Sequence, residues 1–180
     1  MLRVTTGKAK NKKLNIPNIE GYRGVQEVAK QAIFGILGDT IENKYCLDLF
    51  AGSGNIGIEA LSRGAAKCDF VDEHPQAVRV IEENIKNCRF EEQTQVTRSN
   101  AVKFAANTGN IYDIIFLDPF YEDTNHVFLM KNLEDILTPE GKIVFFHGEQ
   151  LDINRVIKDT KLKVVDTRKF GKSYFTILEK

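Results

Sequence analysis

From residue 41 onward, short apolar runs alternate with stretches of helical periodicity, and this alternation constrains the fold more than any other feature. Apolar runs at 45–50, 69–72, 95–98, 111–117, 142–147, 163–167 and 173–178 read as strands. Between them, 56–62, 75–87, 102–106, 127–137 and 153–158 read as helices. In the segment 75–87, Val78, Ile81 and Ile85 make the expected buried stripe. Strands separated by helices must run parallel, with the helices packed on both faces of the sheet. The last two runs are joined only by residues 168–172 with Gly171. A link that short makes a hairpin, so one strand near the C-terminus is expected to run antiparallel. The expected fold class is α/β: a mostly parallel seven-stranded sheet.

Before this core, residues 2–6 and 14–16 flank a lysine-rich stretch containing Gly7, which suggests a short hairpin or extended arm. Val25, Val28, Ala29, Ala32, Ile33, Ile36 and Leu37 then recur at i, i+3, i+4 spacing and predict an amphipathic helix over 24–37. The 180 residues suit one domain, with 1–40 as arm and helix and 41–180 as the core. The start of the chain lacks the apolar stretch of a signal peptide, and no apolar run approaches the length of a membrane span. Cys46, Cys68 and Cys88 are odd in number, with no C-x-x-C pairing, and read as buried reduced thiols of a cytoplasmic protein.

Lysine plus arginine and aspartate plus glutamate both number 25, so the formal net charge is zero. The total hides a pattern. Residues 1–30 hold seven cations against two acids, 118–152 hold two against eight, and 155–180 hold eight against three. Two basic ends on one small protein would form a phosphate-tracking face if they converged. The N-terminal cations Arg3, Lys8, Lys10, Lys12, Lys13 and Arg23 are the expected nucleic-acid contacts. Each end taken alone also fits an ordinary solvated surface.

The most informative segment runs from Asp48 through Phe50, Gly52, Gly54 and Gly57 to Leu61. A strand ends, glycines turn the chain tightly, and a helix begins at once. Ligands of open α/β sheets bind beyond such strand ends, and glycine lets them approach the backbone. Taken alone, Gly52-x-Gly54-x-x-Gly57, with Asp72 twenty residues after Gly52, matches the dinucleotide fingerprint. Asp48 points elsewhere, because a carboxylate sits poorly beside a pyrophosphate but suits a ligand with an ammonium and a sulfonium centre. D-x-F-x-G-x-G resembles motif I of the class I S-adenosylmethionine-dependent methyltransferases, which makes Asp48, Phe50, Gly52 and Gly54 candidate contacts for that donor. Asp72 is the candidate ribose acceptor, with Glu73 as its rival.

A second loop, Asp118-Pro119-Phe120-Tyr121, ends the apolar run at 111–117. An exocyclic amine on a nucleobase is a poor nucleophile because its lone pair is delocalised into the ring. A carboxylate and a backbone carbonyl can hold the amino hydrogens and turn that lone pair towards a methyl donor. Proline fixes those acceptors in place before substrate arrives. Asp118 and the Pro119 carbonyl are the candidate acceptors, and Tyr121 is a stacking platform for the base. The transfer is a direct displacement governed by positioning, and it calls for no metal. His74, His126 and His147 are scattered without ligand spacing. His74 reads as a helix-start residue, His126 lies near the expected substrate entry, and His147 reads as structural.

With both loops in view, the chain resembles the RsmD-like bacterial 16S rRNA guanine-N2 methyltransferases nearly end to end. Arg3-Val-Thr-Thr-Gly7 and 14–17 resemble that family's arm, and the helix ending Ala32-Ile-Phe34-Gly-Ile-Leu37 precedes motif I as it does there. Residues 48–65 match motif I closely, Phe70-Val-Asp72 matches the ribose-binding acid, and Leu117-Asp118-Pro119 opens motif IV. The resemblance implies a class I Rossmann-like methyltransferase with S-adenosyl-L-methionine as donor and S-adenosyl-L-homocysteine as product. It also implies a guanine amine of 16S rRNA as target, within the 30S subunit or an assembly intermediate. Three positions depart from the family pattern. Phe120 replaces a second proline in motif IV, and Arg23-Gly24-Val25 with Val28 replaces an R-P-T stretch and a following arginine. Asn100, followed by Ala101, stands where an aspartate accepts from adenine N6, so an amide oxygen would take that role without charge assistance. Competing readings are a non-catalytic RNA-binding or assembly scaffold, an amino-methyltransferase acting on adenine N6, and a nicotinamide-dependent oxidoreductase. The chain has little room for the catalytic unit that the last would need.

Overall fold

The computed structural model describes residues 2–22, 24–120 and 126–180, so Arg23 and Tyr121 lie outside the described residues. Among these residues lie six α-helices and seven strands. In chain order they are α1 (Glu27–Leu37), β1 (Tyr45–Leu49), α2 (Asn55–Ser62), β2 (Lys67–Asp72), α3 (Pro75–Cys88), β3 (Thr94–Arg98), α4 (Ala101–Asn107), β4 (Tyr112–Leu117), α5 (Val127–Asp135), β5 (Leu137–Gly148), α6 (Ile153–Ile157), β6 (Lys163–Phe170) and β7 (Ser173–Glu179).

The strands form one seven-stranded sheet in the order β3-β2-β1-β4-β5-β7-β6. β1 pairs in parallel with β2 on one side and β4 on the other. β7 alone runs antiparallel, inserted between β5 and β6. The chain leaves β1 towards β2 and returns to its other flank as β4. Their shared carboxyl edge is therefore a topological switch point, where open α/β sheets bind ligands.

Burial explains the layers. Cys46, Phe70, Ile114 and Phe116 face α1, α2 and α3, packing with Ile33, Ile58 and Ile81. Leu47, Val71, Ile115 and Phe145 face α4, α5 and α6, packing with Ala105, Leu133 and Val156. Cys46, Cys68 and Cys88 are free and buried.

Gly57 sets the distance between α2 and the sheet. A Cβ there would lie 2.4 Å from Phe70 Cε1 and 2.7 Å from Cys68 Sγ. Gly57→Ala is expected to destabilise the protein by about 1–3 kcal/mol through overpacking, read as a lowered urea midpoint with unchanged slope.

Several expectations need correction. The first helix starts at Glu27, with Gln26 extended before it, so 24–26 are not helical. Its buried face is Ala29, Lys30, Ile33, Phe34 and Leu37, while Val28 and Ile36 are 62% and 43% exposed. The apolar spacing misplaced the face because a lysine occupies its centre. Lys30 is buried, and its ammonium donates to Glu59 Oε2 at 3.0 Å, Asn55 Oδ1 at 2.7 Å and the Arg3 carbonyl at 2.8 Å. In α3, Ala77, Ile81, Asn84, Ile85 and Cys88 are buried, while Val78 is only partly so.

The arm is a small hairpin closed by an antiparallel bridge between Arg3 and Lys13. The Lys8 N–H donates to the carbonyl of Ser62, the last residue of α2, and Asn87 Nδ2, near the end of α3, donates to the Lys13 carbonyl. Both helices run away from the carboxyl edge. The exposed lysines Lys8, Lys10, Lys12 and Lys13 therefore sit at the opposite edge, more than ~10 Å of helix from the glycine loop. The β6–β7 hairpin, carrying Arg168, Lys169 and Lys172, lies at the carboxyl edge. The C-terminal cations are split between the edges, since Lys163 lies opposite Glu179 towards the amino edge and Lys180 bonds the Glu134 and Leu137 carbonyls.

Candidate active site

β1 delivers Asp48 to the carboxyl edge, where the chain must turn sharply into α2. Phe50, Gly52 and Gly54 all take positive φ, at 58°, 56° and 73°. That conformation is costly for phenylalanine and free for glycine, so the two glycines absorb most of the turn. A set of hydrogen bonds holds the loop. The Gly57 N–H donates to Asp48 Oδ2 at 2.8 Å, and the Gly52 N–H donates to Asp72 Oδ2 at 2.9 Å. The Gly54 N–H donates to the Ala51 carbonyl at 2.7 Å. Asn84 Nδ2 donates to the Ser53 carbonyl at 2.8 Å, and the Tyr22 hydroxyl donates to Ser53 Oγ at 2.7 Å.

The electrostatics are one-sided. Burial pushes the Asp48 carboxyl well above its usual range, and the neighbouring Asp118 and Asp72 push it further. Burial likewise raises Asp72. Asp118, at the end of β4, is half-buried at its surface but enclosed by protein, and that enclosure pushes its pKa up to about 7. Among the described residues, no group donates a hydrogen bond to its carboxylate. Three acids thus meet at the switch point, and among the described residues no lysine or arginine pairs with them. A ligand carrying a sulfonium and an ammonium supplies the missing positive charge, whereas a pyrophosphate would add to the repulsion. The residues therefore fit S-adenosylmethionine and disfavour a nicotinamide dinucleotide.

The structure brings Asp48, Phe50, Gly52, Gly54, Asp72, Asp118 and Pro119 to one edge. Asp72 spends one bond of each oxygen on the loop, accepting from the Gly52 N–H and, through Oδ1, from the His74 N–H. Asn100 needs correction as the adenine acceptor. Its Oδ1 accepts from the Val102 and Lys103 N–H groups at 3.0 and 3.3 Å, capping α4, and its Nδ2 faces Glu73 Oε2 at 3.4 Å. A short polar side chain one residue before a helix satisfies the open N–H groups first. Ala101 is the first residue of that helix and is buried. Arg3 is exposed and pairs with Glu27, with Nη2 and Oε1 3.1 Å apart. His74 caps α3, accepting from the Gln76 N–H. His126 is buried, with its ring edge-on against Phe145.

Sequence reasoning missed Tyr22. Its ring lies against the glycine loop, so that a Cβ on Gly52 would fall 2.5 Å from Tyr22 Cε2. Burial raises its phenol pKa, and Asp118 and Asp48 both act on it, which places the hydroxyl between the two loops. The only sequence signal was an aromatic beside the departing Arg23-Gly24-Val25 stretch, and nothing there marks it as a site residue. Phe120 is 56% exposed beside the same segment, with Cε1 4.0 Å from a Cβ built on Gly21.

Comparison with known proteins then decides the family. The family model described as "Conserved hypothetical protein 95" matches residues 2–179. A Bacillus subtilis protein, "Putative rRNA methyltransferase YlbH", is 32% identical over 173 residues, covering 93% of this chain and 92% of that protein. The chain belongs to the RsmD-like family of S-adenosylmethionine-dependent methyltransferases. The Escherichia coli "Ribosomal RNA small subunit methyltransferase D" is 32% identical over 118 residues, spanning 66% of this chain and 59% of that enzyme. Among solved structures, an Escherichia coli protein described as "Putative methyltransferase yhhF" superposes with a TM-score of 0.84 at 24% identity, covering 99% of this chain and 97% of that one. At that identity the superposition speaks for the fold, which is the class I methyltransferase fold.

Proposed function

We propose that the chain transfers a methyl group from S-adenosylmethionine to the exocyclic N2 amine of a guanine in 16S rRNA. The single observation that carries this reading is the placement of Asp118. An enclosed carboxylate without a hydrogen-bond partner among the described residues stands beside the glycine loop at the switch point, with Pro119 buried behind it. The names of the family's relatives, which include small-subunit rRNA methyltransferases, support the choice of substrate.

Each group has a role. Asp48, Phe50, Gly52, Gly54 and Asp72 hold the donor, which supplies an electrophilic methyl on sulfur when bound. Ala101 and the backbone around Asn100 border the adenine. Asp118 accepts one amino hydrogen of the guanine and the Pro119 carbonyl accepts the other, turning the nitrogen lone pair towards the methyl. Tyr121 lies outside the described residues and keeps its assignment as stacking platform. Arg23, also outside them, remains a candidate RNA contact. Lys8, Lys10, Lys12 and Lys13 meet RNA only where a large structured target reaches the far edge of the sheet, as a 30S particle would.

Labelled methyl transfer tests the reading, using 30S particles lacking the modification and naked 16S rRNA side by side. Transfer to either supports it. Tight donor binding without transfer to both would favour the non-catalytic scaffold.

A further inference from the structure

Tyr22 is held against the site without belonging to the core. It is half-buried and is a member of neither hydrophobic layer flanking the sheet. Its N–H donates to the Ile19 carbonyl at 3.1 Å, closing a turn, and Asn55 Nδ2 donates to the Val25 carbonyl at 3.1 Å. Asn55 is the first residue of α2 and is itself fixed by the Lys30 ammonium. Tyr22 thus sits on a segment tied at both ends, one of them to the helix that follows the glycine loop.

The same segment touches both loops of the site. Gly21 approaches Phe120, which follows Asp118 and Pro119, while the Tyr22 hydroxyl bonds Ser53 of the glycine loop. A Cβ on Gly52 would lie 2.5 Å from Tyr22 Cε2 and 3.3 Å from both Cζ and the hydroxyl oxygen. Those three distances are met together only near the plane of the ring, beyond its edge. Gly52 therefore abuts the edge of the ring and covers neither face. Among the described residues, no aromatic ring stacks on Tyr22 and no lysine or arginine sits over it.

A methyl group passing from a donor on the glycine loop to an amine at Asp118 crosses the gap between β1 and β4. Tyr22 borders that gap, with Asp48 and Asp118 both acting on its phenol. Donor and product differ there in one respect. S-adenosylmethionine carries a sulfonium, and S-adenosylhomocysteine, which has given up the methyl, carries a neutral thioether. The face of an aromatic ring attracts a cation through its quadrupole, and more strongly where water is excluded.

We propose that Tyr22 is a specificity-determining residue for the donor: a face of its ring rests against the sulfonium and makes the site hold S-adenosylmethionine in preference to S-adenosylhomocysteine. The acids of the site favour the sulfonium by charge, and the ring adds to that preference by contact. The hydroxyl bond to Ser53 sets the angle of the ring. The proposal rests on the donor alone, so it stands whichever nucleobase is methylated.

Calorimetry with the two ligands tests it without any methyl acceptor. Tyr22→Leu keeps an apolar side chain but no aromatic face. It is expected to narrow the ratio of the two affinities about threefold to tenfold, by weakening S-adenosylmethionine more than S-adenosylhomocysteine. Tyr22→Phe keeps the ring and gives up the Ser53 bond, so it should lower both affinities alike and preserve the ratio. Phenylalanines bearing one, two and three fluorines at position 22 keep the shape of the ring while withdrawing negative charge from its face. S-adenosylmethionine affinity should fall step by step along that series, and S-adenosylhomocysteine affinity should not. An unchanged ratio in Tyr22→Leu would overturn the proposal, because equal losses of both ligands mark a residue that only shapes the loop. If Tyr22→Leu shows no cooperative thermal transition, the fluorinated series decides alone, and a flat response of S-adenosylmethionine affinity there overturns the contact.

Discussion

Asp118→Ala is expected to lower the rate of methyl transfer by at least about 10²–10³-fold while leaving donor affinity unchanged. The magnitude is that of removing one preorganised group aimed at developing charge in a reaction centre. Donor binding survives because the glycine loop is held by Asp48, Asp72, Asn84 and Tyr22, none of which bonds to Asp118. Single-turnover transfer alongside calorimetry separates the two effects, and joint loss of both would contradict the division of labour between the loops. The same carboxyl sets a pH dependence. Its pKa is pushed up from 3.8 to about 7. Because the charged form is the better acceptor, kcat/KM should rise with pH and level off above about 7. Stability runs the other way. A carboxyl whose folded pKa is raised costs nothing below its unfolded value of 3.8, and the cost grows until the pH passes about 7, above which the group is ionised in both states. Asp118→Asn should therefore stabilise the fold increasingly between those limits, as expected of a group kept for reaction at the expense of stability.

Glu59→Ala should be the most damaging change outside the active site, costing about 3–5 kcal/mol in urea unfolding. Glu59 is fully buried and accepts from the Thr5 N–H at 2.8 Å, the Thr5 hydroxyl at 2.6 Å, the Thr6 N–H at 3.1 Å and Arg63 Nε at 2.9 Å, besides pairing with Lys30. Its removal strands the Lys30 ammonium inside the protein and frees the arm that carries Thr5 and Thr6. Burial alone would raise the Glu59 pKa, but Lys30 and the donors from Thr5 and Arg63 outweigh it and hold the group below its ordinary value of 4.5. The stability it confers is accordingly complete above about pH 4.5 and is lost as pH falls through the depressed folded value. The double variant Lys30→Met/Glu59→Ala should be more stable than Glu59→Ala alone, because the fully buried ammonium is no longer left unpaired. A cost below about 1 kcal/mol for the single variant would show the pair to be no more than a surface-like contact.

The sheet was legible because most of its strands are apolar runs separated by helices, and every expected strand from Tyr45 to Leu178 appears within a few residues. The antiparallel strand was legible from the short link around Gly171, but its insertion between β5 and β6 was not, since pairing partners leave no local trace. In the site, Asp48, the loop glycines and Asp118 could be placed because strand ends and tight turns have sequence signatures. What remained hidden was long-range. Tyr22 reaches the glycine loop across 31 residues to bond Ser53, and Lys30 reaches Glu59 across 29. A buried lysine inverts the usual polarity pattern, so periodicity turned α1 towards Val28 and Ile36. Asn100 was assigned a ligand's hydrogen bond that helix α4 takes for itself. The charge pattern showed two basic ends, and only the topology split the C-terminal one between the two edges of the sheet.

The central claim is that this site methylates the N2 amine of a guanine in small-subunit rRNA. Nucleoside analysis of 16S rRNA recovered from 30S particles after reaction with labelled donor tests it most directly. The account predicts label in N2-methylguanosine, present with the wild-type protein and absent with Asp118→Ala. Label in N6-methyladenosine, or transfer that persists without Asp118, would contradict it.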